Sequence, residues 1–348
     1  MNEYNNNNNN NNNNCGGTNV QKFENENYSF CLFRIPEVGK RAIWQISNVC
    51  NYNCSYCIFA SGSKRIEGEL NTDQALKTVD QLYDLGYTHL KITGGEPFIR
   101  KDLGDIIKRA KSYGMNVDVS TNASLITKEK ALNMAKAGLD MMHVSLDGHT
   151  KELQENLRGD KTYQRTLDGL KCLTDAKIYT RIGTVIYRDN DTKLKEIIEF
   201  SYNRGADEIA ISIMEPSGRI AGDDTLKTKR SLEDMCSEIE LLKEEFEGRI
   251  KVHYNFKTEV DGNCINNFKN NNNNTLCPGG DKFIYIDNFG RVAPCTWVVE
   301  NDPSYYSMST LKTKSLKEIL LSKRLRIFSQ NKESCKGSCP VEEGKIKC

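Results

Sequence analysis

Short β-rich runs alternate with helical periodicity from Arg41 to about Met214. Six segments read as strands, at residues 42–46, 89–93, 116–120, 142–146, 181–186 and 208–213, each rich in β-branched and apolar side chains. Amphipathic stretches lie between them: one begins near Thr72 and stops at Gly86, another runs from Asp102 to Gly114, and a third starts at Thr127 and stops at Gly138. Ser, Thr or Asp openings and glycine stops are the cap chemistry of helices. Strand, helix, strand repeated about six times predicts a parallel sheet with helices outside. Right-handed crossovers curl six such units toward a barrel, here an incomplete one. The expected fold class is α/β: a partial (β/α)6 TIM-like barrel, followed by a small cysteine-rich unit built on a β-hairpin.

Asparagine tracts before Cys15 and around residues 270–274 cannot bury apolar area and are expected to be disordered or looped. They suggest three parts: an Asn-rich N-terminus over 1–26, the barrel over 27–255, and the cysteine-rich unit over 256–348. The formal net charge of +1 shows no footprint for nucleic acid or an anionic membrane. No apolar run approaches the ~20 residues of a membrane span, and the polar start does not read as a secretory signal. The 13 cysteines are an odd, clustered set, which argues against a disulfide framework and for metal or redox chemistry in a reducing, cytoplasmic setting. Cys31, Cys172 and Cys236 stand alone and read as small buried hydrophobes.

In barrels of this kind chemistry sits at the C-terminal ends of the strands. The notable polar residues fall there: Cys50 to Cys57 after the first strand, Gly94 to Pro97 after the second, Ser120 and Asn122 after the third, Asp147 after the fourth and Glu215 after the sixth. Cys50, Cys54 and Cys57 have the spacing C-x3-C-x2-C. Three thiolates on one short loop can wrap one face of a [4Fe–4S] cluster and leave one iron open. Zinc, or an electron-transfer cluster with a remote fourth cysteine, are the alternatives that spacing leaves standing.

Cys50 to Cys57, with Tyr56 just before the last cysteine, resembles the signature of the radical S-adenosylmethionine (SAM) superfamily. Thr93-Gly94-Gly95-Glu96-Pro97 resembles its GGEP motif, and the likeness extends over roughly residues 43–218. The resemblance implies that the open iron chelates SAM and that a reduced cluster passes an electron to its sulfonium. The resulting 5′-deoxyadenosyl radical abstracts hydrogen from a substrate. It further implies that Gly94 and Gly95 let the backbone approach the SAM ammonium, with Glu96 fixing that ammonium or the loop itself. Ser120 and Asn122 resemble ribose contacts, and Arg158 an arginine that meets the SAM carboxylate. Ser145 and Asp147 match a family pattern, although Asp147 also reads as a helix cap. Residues 214–219 resemble a turn that passes near adenine, or are a plain Pro–Gly turn.

Beyond the barrel, Cys277 and Cys295 flank a hairpin-like segment at 283–292, and Cys335 and Cys339 follow, with Cys348 last. Four thiolates suit a closed cluster, and also zinc. The layout resembles the SPASM or twitch extensions of radical SAM enzymes, which implies an auxiliary [4Fe–4S] cluster held by Cys277, Cys295, Cys335 and Cys339, with Cys348 a further candidate. Cys264 is not expected to be a ligand. The function expected is hydrogen abstraction from a peptide or protein, with a small-molecule alcohol dehydrogenase, or a non-catalytic iron–sulfur carrier, as alternatives. A flavodoxin- or ferredoxin-like protein would supply electrons.

Overall fold

The computed structural model describes residues 39–254, 256, 279–301 and 303–331. Seven strands run parallel in chain order: β1 (Lys40–Gln45), β2 (Tyr87–Thr93), β3 (Asn116–Thr121), β4 (Met141–Ser145), β5 (Thr180–Ile186), β6 (Glu208–Ile213) and β7 (Lys251–Tyr254). The connecting helices are α1 (Thr72–Asp84), α2 (Leu103–Ser112), α3 (Lys128–Lys136), α4 (Lys151–Arg158), α5 (Thr162–Asp175), α6 (Leu194–Asn203) and α7 (Leu232–Glu245). All six expected strands are present. The seventh extends the sheet beyond the six expected units. Its four residues bury only Val252 fully, so its apolar pattern is too short to stand out in sequence.

The C-terminal hairpin, β8 (Phe283–Ile286) and β9 (Val292–Ala293), joins the same sheet. β8 pairs parallel to the free edge of β1, giving the order β7-β6-β5-β4-β3-β2-β1-β8-β9. The sheet is open, with β7 and β9 at its edges. All four residues of β8 are buried, and its pairing satisfies backbone groups on β1 that would otherwise be buried without partners. Helices α8 (Thr296–Asn301), α9 (Leu316–Leu320) and α10 (Lys323–Asn331) follow.

Helix ends follow local chemistry. Asn71 closes a capping box with Gln74, and Thr127, Thr150 and Ser231 each accept an N–H bond from the first turn of their helix. The apolar stripe of α2, Leu103, Ile106, Ile107 and Ala110, is buried against the sheet, as its spacing requires.

The two faces of the sheet differ in chemistry. Outward residues such as Trp44, Ile92, Val119, Val144 and Ile182 belong to the apolar core under the helices. The alternate residues face the lumen and are charged near its base. Asp118 receives Arg41 Nη2 and Lys91 Nζ, each at 2.9 Å, and Arg181 Nε meets Glu208 at 2.6 Å. Burial alone would raise the Asp118 pKa, but Lys91 and Arg41 overcome it and hold the carboxyl well below its ordinary value. The lumen is thus floored by mutually paired ions rather than by packed aliphatics.

Gly169 in α5 is required by close packing. A Cβ there would lie 1.9 Å from the Ala123 carbonyl oxygen, on the backbone that leaves β3. Gly169→Ala is therefore expected to destabilise the protein by about 1–3 kcal/mol in urea unfolding, although alanine is favoured in an isolated helix by about 1 kcal/mol.

His89 accepts from Asn116 Nδ2 at 3.0 Å when its other ring nitrogen donates to Thr88 Oγ1 at 2.9 Å, an arrangement for the neutral ring. Burial first, then Arg41, lowers its pKa to about 4. Between about 4 and the ordinary value of 6.5 the unfolded chain binds the extra proton. His89 therefore contributes stability above 6.5 that is lost as pH falls toward 4, and His89→Asn is expected to flatten that part of the unfolding-versus-pH curve.

Candidate active site at the strand ends

The cluster-type loop begins one turn beyond β1 and is held by backbone contacts on three sides. Gly95 N–H donates to the Ser47 carbonyl at 2.7 Å and Glu96 N–H to the Val49 carbonyl at 2.8 Å. The glycines are needed because backbones meet here. A Cβ on Gly94 would lie 2.6 Å from Ser47 O, and one on Gly95 2.2 Å from Val49 O and 2.9 Å from Cys50 N. Pro97 starts the short 3₁₀ turn Pro97–Ile99 that follows.

Glu96 is fully buried, and its carboxylate accepts three hydrogen bonds: Phe98 N–H at 3.0 Å, Thr121 Oγ1 at 2.8 Å and Asn122 N–H at 2.8 Å. Burial raises its pKa despite those donors. These bonds realise one of the two roles open to it in sequence, fixing the loop. It ties the turn after β2 to the end of β3.

On the opposite side, the loop docks on the corner between α4 and α5. Ser55 N–H donates to the Leu157 carbonyl at 2.8 Å, and Tyr52 Oη donates to the Thr162 carbonyl at 3.1 Å. Tyr56 Oη donates to Asp147 Oδ2 at 2.6 Å, and Arg158 Nε donates to the same oxygen at 2.6 Å. The Arg158 guanidinium also contacts Tyr56 Oη. Asp147 is fully buried and Arg158 nearly so. Burial opposes the charge on Arg158, but Asp147, Tyr56 and Cys54 outweigh it and hold the pKa well above the ordinary value. Asp147 is thus the counter-ion of Arg158 and not the cap of α4, which is Thr150.

From above, the turn after β6 closes on the loop. Arg219 N–H donates to the Cys57 carbonyl at 3.1 Å, and its guanidinium reaches the carbonyls of Cys54 and Ser61. Gly218, at φ +57, lies where a Cβ would meet the Cys57 and Ile58 carbonyls at 2.4 Å. Residues 214–219 therefore act as a clamp on the cysteine loop. Arg219 and Tyr52 lie in segments singled out in sequence, but their contacts carried no signal there, because partners 110 to 165 positions away leave no local pattern.

Cys50 is buried, while Cys54 and Cys57 are partly exposed. Burial pushes the Cys50 thiol up to about 12 and raises Cys54 as well, with Arg158 opposing the latter shift. Tyr52 N–H points at Cys50 Sγ at 3.4 Å and Ser61 N–H at Cys57 Sγ at 3.4 Å. N–H dipoles aimed at the sulfurs of Cys50 and Cys57 suit thiolates bound to iron. Among the described residues no three His, Cys, Asp or Glu side chains converge at the spacing of a single ion. A cubane binds its three cysteines at three different irons and needs no such convergence. Cys236 on α7 is buried in the apolar core as expected, whereas Cys172 on α5 is only partly buried and packs against it. Ser120 and Ser145 are partly exposed at the ends of β3 and β4.

Cys295 follows β9 in a second buried cluster with Phe283, Tyr285 and Phe328. Cys31, Cys264, Cys277, Cys335, Cys339 and Cys348 lie outside the described residues. A cleft of about 370 Å³ opens between the cysteine loop and the hairpin, lined among others by Asn48, Phe59, Tyr285, Asn288, Arg291 and Tyr306. Its far wall is joined to the near one by Tyr285 Oη donating to Gln45 Oε1 at 2.6 Å and by Asn288 Nδ2 donating to Glu69 Oε1 at 3.2 Å.

The model of the radical SAM superfamily matches residues 44–201, and that of the SPASM iron–sulfur cluster-binding domain matches 277–340. The chain belongs to the radical SAM superfamily and carries a SPASM region; it is an enzyme that uses a [4Fe–4S] cluster and SAM, with auxiliary iron–sulfur chemistry at its C-terminal end. The AdoMet-dependent heme synthase of Methanosarcina barkeri is 26% identical over 330 residues, 88% of each chain. The mycofactocin maturase MftC of Mycobacterium tuberculosis is 33% identical over 177 residues, 51% of this chain and 45% of that protein. Among solved structures, SuiB of Streptococcus suis bound to SAM superposes with a TM-score of 0.73 at 16% identity, over 89% of this chain and 75% of its own. Its complex with the precursor peptide SuiA gives 0.71 at 17%, over 90% and 74%. No helix among the described residues is long and apolar enough to cross a membrane.

Removing the guanidinium of Arg158 leaves the Asp147 carboxylate buried without its cation. Arg158→Met is expected to cost about 3–5 kcal/mol in chemical denaturation, and adding Asp147→Asn should recover part of that loss. An unchanged unfolding midpoint in Arg158→Met would show that the pair carries no structural weight.

Proposed function

We propose that Cys50, Cys54 and Cys57 hold the SAM-binding cluster and that the enzyme abstracts hydrogen from a peptide or protein substrate. The observation that supports the cluster assignment is the three-sided clamp on the cysteine loop, which follows β1 at the C-terminal end of the strands. The bound cluster and SAM supply one-electron cleavage of the sulfonium and a 5′-deoxyadenosyl radical. The chain's own residues bind, orient and shield. Gly94, Gly95 and Pro97 shape a turn that would take the methionine end of SAM. Arg158, ionised beside Cys54, would attract its carboxylate, and Ser120 would contact the nucleoside.

The peptide reading is supported by the likeness to a peptide-bound enzyme and to a maturase. It is also supported by the amide and aromatic groups of the cleft, which suit the polar backbone and apolar side chains of a peptide. Cys277, Cys295, Cys335 and Cys339 would hold an auxiliary cluster within the unit 256–348, with Cys348 in reserve, and a flavodoxin- or ferredoxin-like donor would deliver the electron in the cytoplasm. A second reading, a small-molecule reaction like that of a heme synthase, is favoured by the alignment over 88% of each chain with that relative.

After anaerobic reconstitution, the wild-type chain is expected to be brown and to convert SAM to 5′-deoxyadenosine under a strong reductant, and Cys57→Ala is expected to lose that product. Brown protein that never yields 5′-deoxyadenosine would indicate an electron carrier. Mass change in a peptide supplied with the enzyme, against conversion of a tetrapyrrole, separates the two substrate classes.

A further inference from the structure

Asn122 matches a ribose contact in sequence, yet its side chain is engaged elsewhere. Ser124 N–H donates to Asn122 Oδ1 at 2.9 Å. A backbone N–H can only donate, so that contact identifies the oxygen end of the amide. Ser124 Oγ donates to the same oxygen at 2.6 Å. The amide nitrogen therefore faces the cysteine loop, donating to Asn51 Oδ1 at 3.0 Å and to Cys50 Sγ at 3.8 Å, the longer distance reflecting the larger sulfur. Asn51 Nδ2 donates back to Ser124 Oγ at 2.7 Å and closes a ring of three side chains. The backbone of Asn122 is held as well, by Glu96 Oε2 at 2.8 Å and by Thr166 Oγ1 donating to its carbonyl at 2.9 Å. Both Asn122 and Cys50 are buried.

A buried N–H dipole aimed at a ligand sulfur favours the more negative, reduced state of an iron–sulfur centre. The contact itself is buried, although Asn51 on the outer side of the ring is exposed. The ring of Asn51, Asn122 and Ser124 also fixes where the Cys50 sulfur can sit relative to the Glu96-held turn. We infer that Asn122 is a positioning residue for the cluster: its amide orients Cys50 and raises the potential at which the SAM-binding cluster accepts an electron, instead of binding the ribose. The inference rests on the reading of Cys50 as a cluster ligand.

The test is an anaerobic redox titration, followed by electron paramagnetic resonance, of the reconstituted full chain without SAM. Wild type is compared with Asn122→Ala and Asn122→Asp. Both variants are expected to lower the midpoint of the SAM-binding cluster, Asp further than Ala because it sets a carboxylate against the sulfur. The midpoint of the auxiliary cluster in the same samples should stay in place, and the SAM dissociation constant should stay near the wild-type value. Asn122→Ala tests loss of the donor without added charge, and Asn122→Asp preserves the side-chain shape. An unchanged midpoint with weakened SAM binding would overturn the inference and return Asn122 to the ribose. Survival of the cluster signal in Cys50→Ala would overturn the ligand assignment itself, a result distinct from either.

Discussion

The buried carboxylate of Glu96 holds the mouth of the barrel together. Three donors converge on it, from its own turn, from Thr121 and from the backbone of Asn122. A carboxylate so enclosed is stable only while every donor stays in place, since an unmet charge in a dry site costs several kcal/mol. The turn after β2 and the end of β3 are thereby locked in one geometry. The glycine backbone of that turn then meets the loop of Cys50 at contact distance. The position of the first cysteine thus follows in part from a residue that makes no hydrogen bond to its sulfur.

The same logic of paired buried charge recurs through the barrel. Asp118 with Lys91 and Arg41 floors the lumen, Glu208 takes Arg181, and Asp147 takes Arg158 at the rim. Such pairs add little net stability compared with an apolar core, because desolvation offsets most of the attraction. What they provide here is shape: an open sheet cannot fill its lumen with packed side chains and still admit a substrate. Polar residues that satisfy one another keep the lower lumen closed while the upper layer, with Ser120 and Ser145 partly exposed, remains accessible.

The hairpin bears on both structure and site. By pairing with β1 it covers the sheet edge, and by contacting Gln45 and Glu69 it sets one wall of the cleft beside the cysteine loop. A substrate lying in that cleft would rest between the barrel mouth and the SPASM region. The C-terminal hairpin therefore shapes the cleft beside the cysteine loop.

Much of this was legible along the chain. The six principal strands, three of the helices and their glycine stops followed from apolar periodicity and cap residues, because burial of one face imposes a local, repeating pattern. The cysteine loop and the Gly94–Pro97 turn were legible because their chemistry requires particular residues at short spacing. β7 was not, being four residues long with one fully buried, and neither was the parallel pairing of β8 with β1, a contact across some 240 residues. The roles of Glu96, Asn122, Asp147, Arg158 and Arg219 also depended on the tertiary structure. A carboxylate, an amide or a guanidinium has the same appearance in sequence whether it faces a ligand or a neighbouring strand. Only the packed fold decides which partner lies within hydrogen-bonding distance, because that partner comes from a distant part of the chain.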